Sequence, residues 1–328
     1  MENRDVSDLY VDRRTLSCAL KGCRPCSYKL IIYGNGLLPN QRPEQCPRFQ
    51  GDTTDGLYDK EMRLLTVGDG DFSFSLGLAK LVGPKVNLVA TSHESLGVVR
   101  ATYGPAYMEK ILTALEYDYQ AKVIHEVDAT SEDHLNSLGE GTFDRIIWNF
   151  PCVRMPGGAD GQNKEMEQNI RLLARFFQFS GSLLKPKTGQ IHITHKTKGA
   201  FAHWKLEDIA ANNGGWHCGQ KVVFDRCNYP GYVNKKVLSN KSFPIWDSLT
   251  YIFTPPGSQP RPEPCKPEPL ESYSPEELEN SPLLIPVTSD MLNHIRSMLQ
   301  PSKNKCVSLH SKNKRMLQPY KKKRRKTR

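Results

Sequence analysis

Between residues 61 and 254 the chain alternates short apolar or β-branched runs with helical patterns, which leaves few folds open. The runs are Arg63–Val67, Val86–Thr91, Lys122–Val127, Asp144–Asn149, Gln190–Thr194, Gln220–Phe224 and Leu249–Phe253. Helical patterns lie between them at Ser73–Leu81, Leu96–Leu115, Glu165–Leu184 and Trp204–Asn212. Strands separated by helices predict a mostly parallel sheet covered on both faces. No long helix separates the sixth and seventh runs, so an antiparallel hairpin is expected to close the sheet. The expectation is an α/β fold with seven strands. In such a sheet ligands bind beyond the carboxyl ends of the strands, near the switch point, so the residues after each strand carry the functional information.

The rest of the chain divides by composition. Residues 1–60 hold four of the nine cysteines and little periodicity. Residues 255–269 contain seven prolines and predict a stiff, extended linker. Residues 270–328 predict at most two short helices, one from Ser274 with Pro275 in its first turn and one near Ser289–Gln300, ahead of a basic tail. The formal net charge is +10, but residues 303–328 carry 12 Lys/Arg and no Asp/Glu. Residues 1–302 are left with 33 positive and 35 negative charges, so the basic excess belongs to the tail. No apolar run reaches membrane-spanning length, and the polar, acidic start does not read as a secretory signal or a transit peptide. The odd, uneven cysteines fit a reduced intracellular compartment.

The first strand leads into Gly68-Asp69-Gly70-Asp71-Phe72-Ser73 at the start of a helix. Two glycines allow a tight turn and close backbone approach to a ligand at a helix amino-terminus. Ser73 stands where a full dinucleotide fingerprint has its third glycine, and a plain strand–helix turn reads equally well. Two carboxylates here would repel a pyrophosphate. They suit a cofactor with a cationic centre and an ammonium group, which favours S-adenosylmethionine over NAD. Glu94 lies 24 residues beyond Gly70, near the spacing of an acidic group that accepts ribose hydroxyls, or it is a solvated helix-start glutamate. Asp128, followed by Ala129, could receive an adenine amino group, cap the Ser131–Leu138 helix, or both.

The fourth strand ends in Asn149-Phe150-Pro151-Cys152. This resembles the Asn/Asp-Pro-Pro-aromatic motif of methyltransferases that modify planar nitrogens, in which the amide holds the target nitrogen and an aromatic stacks on the base. Further on, Lys185-Pro186-Lys187-Thr188-Gly189 joins a helix to the fifth strand, a passage common in S-adenosylmethionine-dependent methyltransferases.

Taken together, Thr66–Ser75, Thr91-Ser92-His93-Glu94, Phe143–Ile147 with Asn149-Phe150-Pro151, and Tyr229-Pro230-Gly231-Tyr232 resemble the large-subunit ribosomal RNA uridine-N3 methyltransferase family. The resemblance spans about residues 62–254 and implies a Rossmann-like class I methyltransferase fold using S-adenosylmethionine. It implies ribosomal RNA or a pre-ribosome as partner. By position, Gly68, Gly70, Phe72 and Ser73 match the cofactor loop, Glu94 the ribose contact, and Asn149-Phe150-Pro151 the target side. Thr194 and Lys196 match the border of the substrate cleft, with Trp204 and Tyr232 at further family positions. Some relatives append a ferredoxin-fold anticodon-binding domain, for which the stretch after 254 is too short and proline-broken. The family generally has His where this chain has Cys152.

Uridine N3 is a protonated imide nitrogen, so its methylation needs a base or stabilisation of the developing imidate. His195 or the Cys152 thiolate could supply the base, and Asn149 or Lys196 could donate to the flanking carbonyls. Phe150, Trp204, Tyr229 and Tyr232 are candidate stacking surfaces, although such aromatics are more often core than base platform. Cys18, Cys23, Cys26 and Cys46 offer a weak zinc-site pattern, with unliganded buried thiols as the alternative. The tail Lys321–Arg328 reads as a solubilising segment or as a nucleolar or nuclear address that binds phosphate without sequence preference, with the cytoplasm as the other residence. Oligomeric state is not legible. A non-catalytic RNA-binding assembly factor with the same fold is the competing reading.

Overall fold

A computed structural model describes residues 9–23, 26, 27, 29, 30, 57–153, 164–197, 199–245, 247–258 and 284–299. The expected linker beyond 258, the Ser274 helix, the basic tail and Cys46 lie outside the described residues.

The strands are β1 (Leu9–Asp12), β2 (Leu64–Thr66), β3 (Leu88–Thr91), β4 (Lys122–Ile124), β5 (Arg145–Asn149), β6 (Gln190–Lys196), β7 (His217–Val223), β8 (Ser248–Thr254) and β9 (Leu284–Pro286). They form one sheet in the order β4-β3-β2-β5-β6-β8-β7-β1-β9. Strands β2 to β6 pair in parallel, and β8 runs antiparallel to both β6 and β7. This strand order, with its reversal between β2 and β5 and its antiparallel β8, is the class I methyltransferase arrangement. The seven expected strands are all present. Two more extend the sheet to nine, because β1 pairs parallel with β7 and β9 pairs antiparallel with β1.

The helices are α1 (Arg13–Leu20), α2 (Ser73–Val82), α3 (Leu96–Tyr103), α4 (Pro105–Thr113), α5 (Glu132–Asn136), α6 (Lys164–Phe179), α7 (Leu206–Asn212) and α8 (Ser289–Leu299). One long helix was expected over Leu96–Leu115. The chain breaks it at Gly104, whose φ of 98° no helix accepts, and Pro105 restarts it. The central strands are buried on both faces. Leu64, Leu88 and Ile147 meet Leu78 and Leu81 of α2 and Met108 and Ile111 of α4 in one core. Leu65, Ile146 and Ile193 meet Leu173, Phe176 and Phe177 of α6 and Ile209 of α7 in the other. A third, smaller core joins β1 and α1 to α8 at the sheet's far edge, through Leu16, Ala19, Val223, Leu292 and Ile295. Among the described residues no helix is long and apolar enough to cross a membrane.

Candidate active site

A cavity of about 510 Å³ opens at the carboxyl ends of β2, β3 and β5, where the strand order reverses. Of the residues singled out above, Gly68, Asp69, Gly70, Asp71, Glu94, Asp128, Ala129, Asn149, Phe150, Cys152 and Tyr232 line it.

The first loop is shaped by contact. Gly68 has φ 61°, and a Cβ added there would lie 2.8 Å from Trp148 Nε1. A Cβ at Gly70 would press on the Tyr103 hydroxyl at 3.0 Å, a contact that a small shift of the tyrosine relieves, so the requirement for glycine is strict at Gly68 alone. Phe72 takes the left-handed conformation at the start of α2, with its ring buried edge-on against His125 beneath the loop. Ser73 is buried too, its hydroxyl 3.3 Å from the Val233 carbonyl and tied to the segment that roofs the cavity.

The two loop carboxylates have different surroundings. Asp69 Oδ2 accepts from the backbone N–H and the hydroxyl of Ser75, both at 2.7 Å. Burial and the neighbouring Asp71 charge nevertheless push its pKa up to about 7. Asp71 Oδ1 accepts from Ser73 N–H, and its Oδ2 accepts from the Tyr107 hydroxyl at 3.0 Å and pairs with Lys235 Nζ at 2.8 Å. The Lys235 ammonium also sits over the Tyr107 and Tyr103 rings, 4.1 and 4.8 Å from their centroids. Burial and the two carboxylates push the Tyr103 and Tyr107 phenols up, so both stay protonated donors. The expectation that both aspartates face a cationic ligand therefore changes, because the protein's own lysine answers Asp71. Asp69 also lines the cavity.

Glu94 follows β3, and its carbonyl oxygen is 3.2 Å from His125 Nδ1. Burial alone would raise Asp128, but its Oδ1 accepts from Thr130 N–H and hydroxyl, both at 2.8 Å, and the net effect holds it below the usual carboxylate range. Ser131, not Asp128, caps α5.

On the target side Asn149 closes β5 opposite Thr194. Both atoms of its side-chain amide are buried with no hydrogen-bond partner. Phe150 N–H bonds to the Thr194 carbonyl at 2.8 Å while its φ of 53° turns the chain sharply, and its ring sits edge-on between Phe224 and Phe243. Pro151 is buried, and the Cys152 sulfur lies 3.3 Å from the Val153 carbonyl.

Several residues are placed elsewhere. The Thr194 hydroxyl is buried 3.0 Å from that of Thr250, between β6 and β8. Trp204 is buried in the α6–α7 core against His195 and Phe201. Tyr229 stacks on Phe224 and packs on Phe74 in the opposite core. Lys196 lies over the Phe201 ring, 4.5 Å from its centroid. His195 is enclosed by Trp204 and Phe201, its Nδ1 2.8 Å from the Lys196 carbonyl, and burial pulls its pKa down to about 4. It is neutral and does not line the cavity, and its buried Nε2 has no hydrogen-bond partner.

Sequence reasoning missed the roof. Tyr232, Val233, Lys235, Lys236, Val237, Leu238 and Phe243, from the stretch between β7 and β8, cover the cavity together with Tyr103 from α3. Only Tyr232 carried a signal. The others sit in an irregular segment held by contacts distant in sequence, among them the Lys235–Asp71 pair and the Ser73 hydroxyl at Val233.

The sequence aligns at 36% identity over 184 residues with "Heavy metal-associated isoprenylated plant protein 41" of Arabidopsis thaliana, covering 55% of this chain and 34% of that protein. The chain thus spans about a third of that relative's length. It is 33% identical over 203 residues to "Uncharacterized protein At4g26485" of the same plant, covering 60% of this chain and 94% of that one. The solved structure of TrmN from Thermus thermophilus superposes loosely, with TM-score 0.38 and 16% identity over 74% of this chain and 53% of the other. Residues 65–236 match the family described as "BMT5-like: rRNA (uridine-N3-)-methyltransferase BTM5-like". With its strand order, its glycine loop and more than half of its length in that match, the chain belongs to the BMT5-like methyltransferase family.

Proposed function

We propose that this protein transfers a methyl group from S-adenosylmethionine to N3 of a uridine in large-subunit ribosomal RNA. The observation that carries the reading is Asn149. A primary amide offers one donor and one acceptor side by side, which complements the N–H and C=O edge of a uracil imide. Its two polar atoms lack partners although buried beside the cavity, a costly state unless a ligand completes it.

The residues fit the cofactor as well. Gly68 holds the loop where a side chain would collide, Asp69 offers a carboxylate to a cation, and Glu94 and Asp128 stand at the ends of neighbouring strands. S-adenosylmethionine supplies a methyl group on an electrophilic sulfonium, so the protein's part is orientation and exclusion of water. Asn149 orients the imide, and Phe150, fixed by its strained backbone and by Phe243, walls the base side. The N3 proton leaves as the nitrogen attacks. Among the titratable groups lining the cavity, Cys152 follows the Asn-Phe-Pro turn directly and is the base on this reading. A base-paired uridine must first be opened, since N3 lies on its Watson–Crick edge. Pre-ribosomal RNA in the nucleolus is the substrate setting, and the basic tail supplies phosphate affinity.

The test is transfer from methyl-labelled S-adenosylmethionine to unmodified ribosomal RNA by wild type and Asn149→Ala. Loss of about a hundredfold in transfer with cofactor binding retained supports the reading. Equal transfer by both proteins removes Asn149 from the target site. A second reading, a non-catalytic RNA-binding assembly factor, is favoured by Cys152 in place of the family's histidine. Cofactor binding without transfer, with transfer gained by Cys152→His, would establish it.

A further inference from the structure

Three thiols converge outside the family match, on the small core that joins β1, α1 and α8 at the sheet edge. The Sγ atoms of Cys18, Cys23 and Cys26 all lie within 4.8 Å of one another. Local structure brings them together. α1 ends with Gly22 at φ 84°, Gly22 N–H bonding to the Ala19 carbonyl at 2.9 Å and Cys23 N–H to the Cys18 carbonyl at 3.0 Å. This is a Schellman ending, which by construction folds the side chain after the glycine back onto the one three positions from the helix end, here Cys23 onto Cys18. The Ser27 N–H then bonds to the Cys23 carbonyl at 3.0 Å, a helical turn that sets Cys23 and Cys26 on one face.

A fourth ligand, an oxygen, comes from the methyltransferase domain itself. Asp225, just after β7 and 4% exposed, places Oδ2 at 3.3 Å from Cys26 Sγ. A tetrahedral zinc ion with bonds of about 2.3 Å to sulfur and about 2.0 Å to oxygen sets S···S near ~3.8 Å and S···O near ~3.5 Å. The three sulfurs need to close by at most about one ångström to match. Asp225 Oδ2 already meets Cys26 but stands outside the 4.8 Å cluster of the three thiols, so its side chain must turn further inward to complete the set. Burial holds the Lys29 ammonium below its usual pKa, while Asp225 and Cys26 act in the opposite sense, and its Nζ donates to the carbonyls of Phe224 and Ile245 beside the site.

We propose that Cys18, Cys23, Cys26 and Asp225 form a structural zinc site. It closes with protein ligands alone, as structural rather than catalytic zinc does. The ion staples an edge layer whose own core is small to the strand end from which the cavity roof departs. The bond to Asp225 is the consequential one, because Asp225 begins the stretch that leads through Asn234, itself hydrogen-bonded to Arg226 and the Phe243 carbonyl, to Lys235.

The test uses the full chain. Zinc is quantified in the purified protein, then replaced by cobalt, whose thiolate charge-transfer band reports the number of sulfur ligands. The proposal expects about one zinc per chain and a three-thiolate tetrahedral cobalt spectrum. Asp225→Asn should weaken zinc binding about tenfold or more with the thiolate band kept, and Cys46→Ser should change neither. Three outcomes overturn it. They are absence of zinc with no thiolate band, a disulfide among Cys18, Cys23 and Cys26 in the purified protein, and loss of metal in Cys46→Ser with full affinity in Asp225→Asn. Because zinc content and the cobalt spectrum are read on the wild-type chain, misfolding of a variant does not blunt the test.

Discussion

Lys235 Nζ lies 2.8 Å from Asp71 Oδ2, with the two side chains 12% and 4% exposed, and this pair ties the roof of the cavity to its floor. Removing one partner leaves a buried charge without compensation, whereas removing both does not. Lys235→Met should destabilise the fold by about 3 kcal/mol and Asp71→Asn by a similar amount. The double variant should lose clearly less than the sum of the two. Urea unfolding of the four proteins checks this, and strict additivity would show that the pair does not couple roof to floor.

Asp69 gives cofactor binding a pH dependence. Its pKa near 7, raised by burial and by Asp71, leaves it mostly protonated at pH 6 and mostly ionised at pH 8. The ionised form attracts a sulfonium and an ammonium, so affinity for S-adenosylmethionine should rise by roughly tenfold from pH 6 to pH 8 and then level off. In the absence of cofactor the sign is opposite for stability. The folded chain keeps a proton that the unfolded chain releases near pH ~4, so Asp69's contribution falls between that pH and about 7. Calorimetric titration at several pH values, with Asp69→Asn as the flat control, separates the two effects.

Much of this was legible in sequence. The strand–helix alternation gave all seven central strands because each is a short apolar run bounded by turn residues. The Gly68–Ser73 and Asn149–Cys152 segments were visible because strand ends at a switch point need special residues. What stayed hidden depends on contacts distant in sequence. β1 and β9 are four and three residues long, with no alternation to read, and exist as strands because β7 offers an edge to β1 and β1 in turn to β9. Lys235 lies 164 positions from Asp71, and nothing local distinguishes it from the adjacent Lys236. Trp204 and Tyr229 show the converse, since an aromatic near a site motif looks the same in sequence whether it faces the cavity or the core.

His195 should act on stability rather than on catalysis. Burial pulls its pKa to about 4, so between that value and the unfolded histidine's ~6.5 the unfolded chain binds a proton that the folded chain refuses. Its neutral form contributes fully above pH ~6.5, and the fold should lose about 3 kcal/mol as pH falls through that window. Unfolding measured from pH 7.5 to 4.5 checks the slope, and His195→Gln should flatten it. A titration of methyl transfer with a midpoint near 6.5 that vanishes in His195→Gln would return this residue to the reaction.

Gly68→Ala tests the cradle. An alanine there must adopt φ 61° and brings its Cβ to 2.8 Å from the Trp148 indole. The left-handed conformation alone costs about 1–2 kcal/mol, and Trp148 cannot yield freely because it packs on Phe176. Thermal unfolding should show the loss, and affinity for S-adenosylmethionine should fall by more than tenfold. Unchanged affinity would place the cofactor elsewhere.

The most direct test of the central claim is the identity of the methylated atom. Unmodified large-subunit ribosomal RNA is incubated with the protein and methyl-labelled S-adenosylmethionine, digested to nucleosides and separated against standards. The account predicts label in N3-methyluridine, at one position of the RNA, and loss of that label in Asn149→Ala. Label in a methylated ribose, a C5-methylated uridine or another base, or no label from a protein that binds the cofactor, would contradict it.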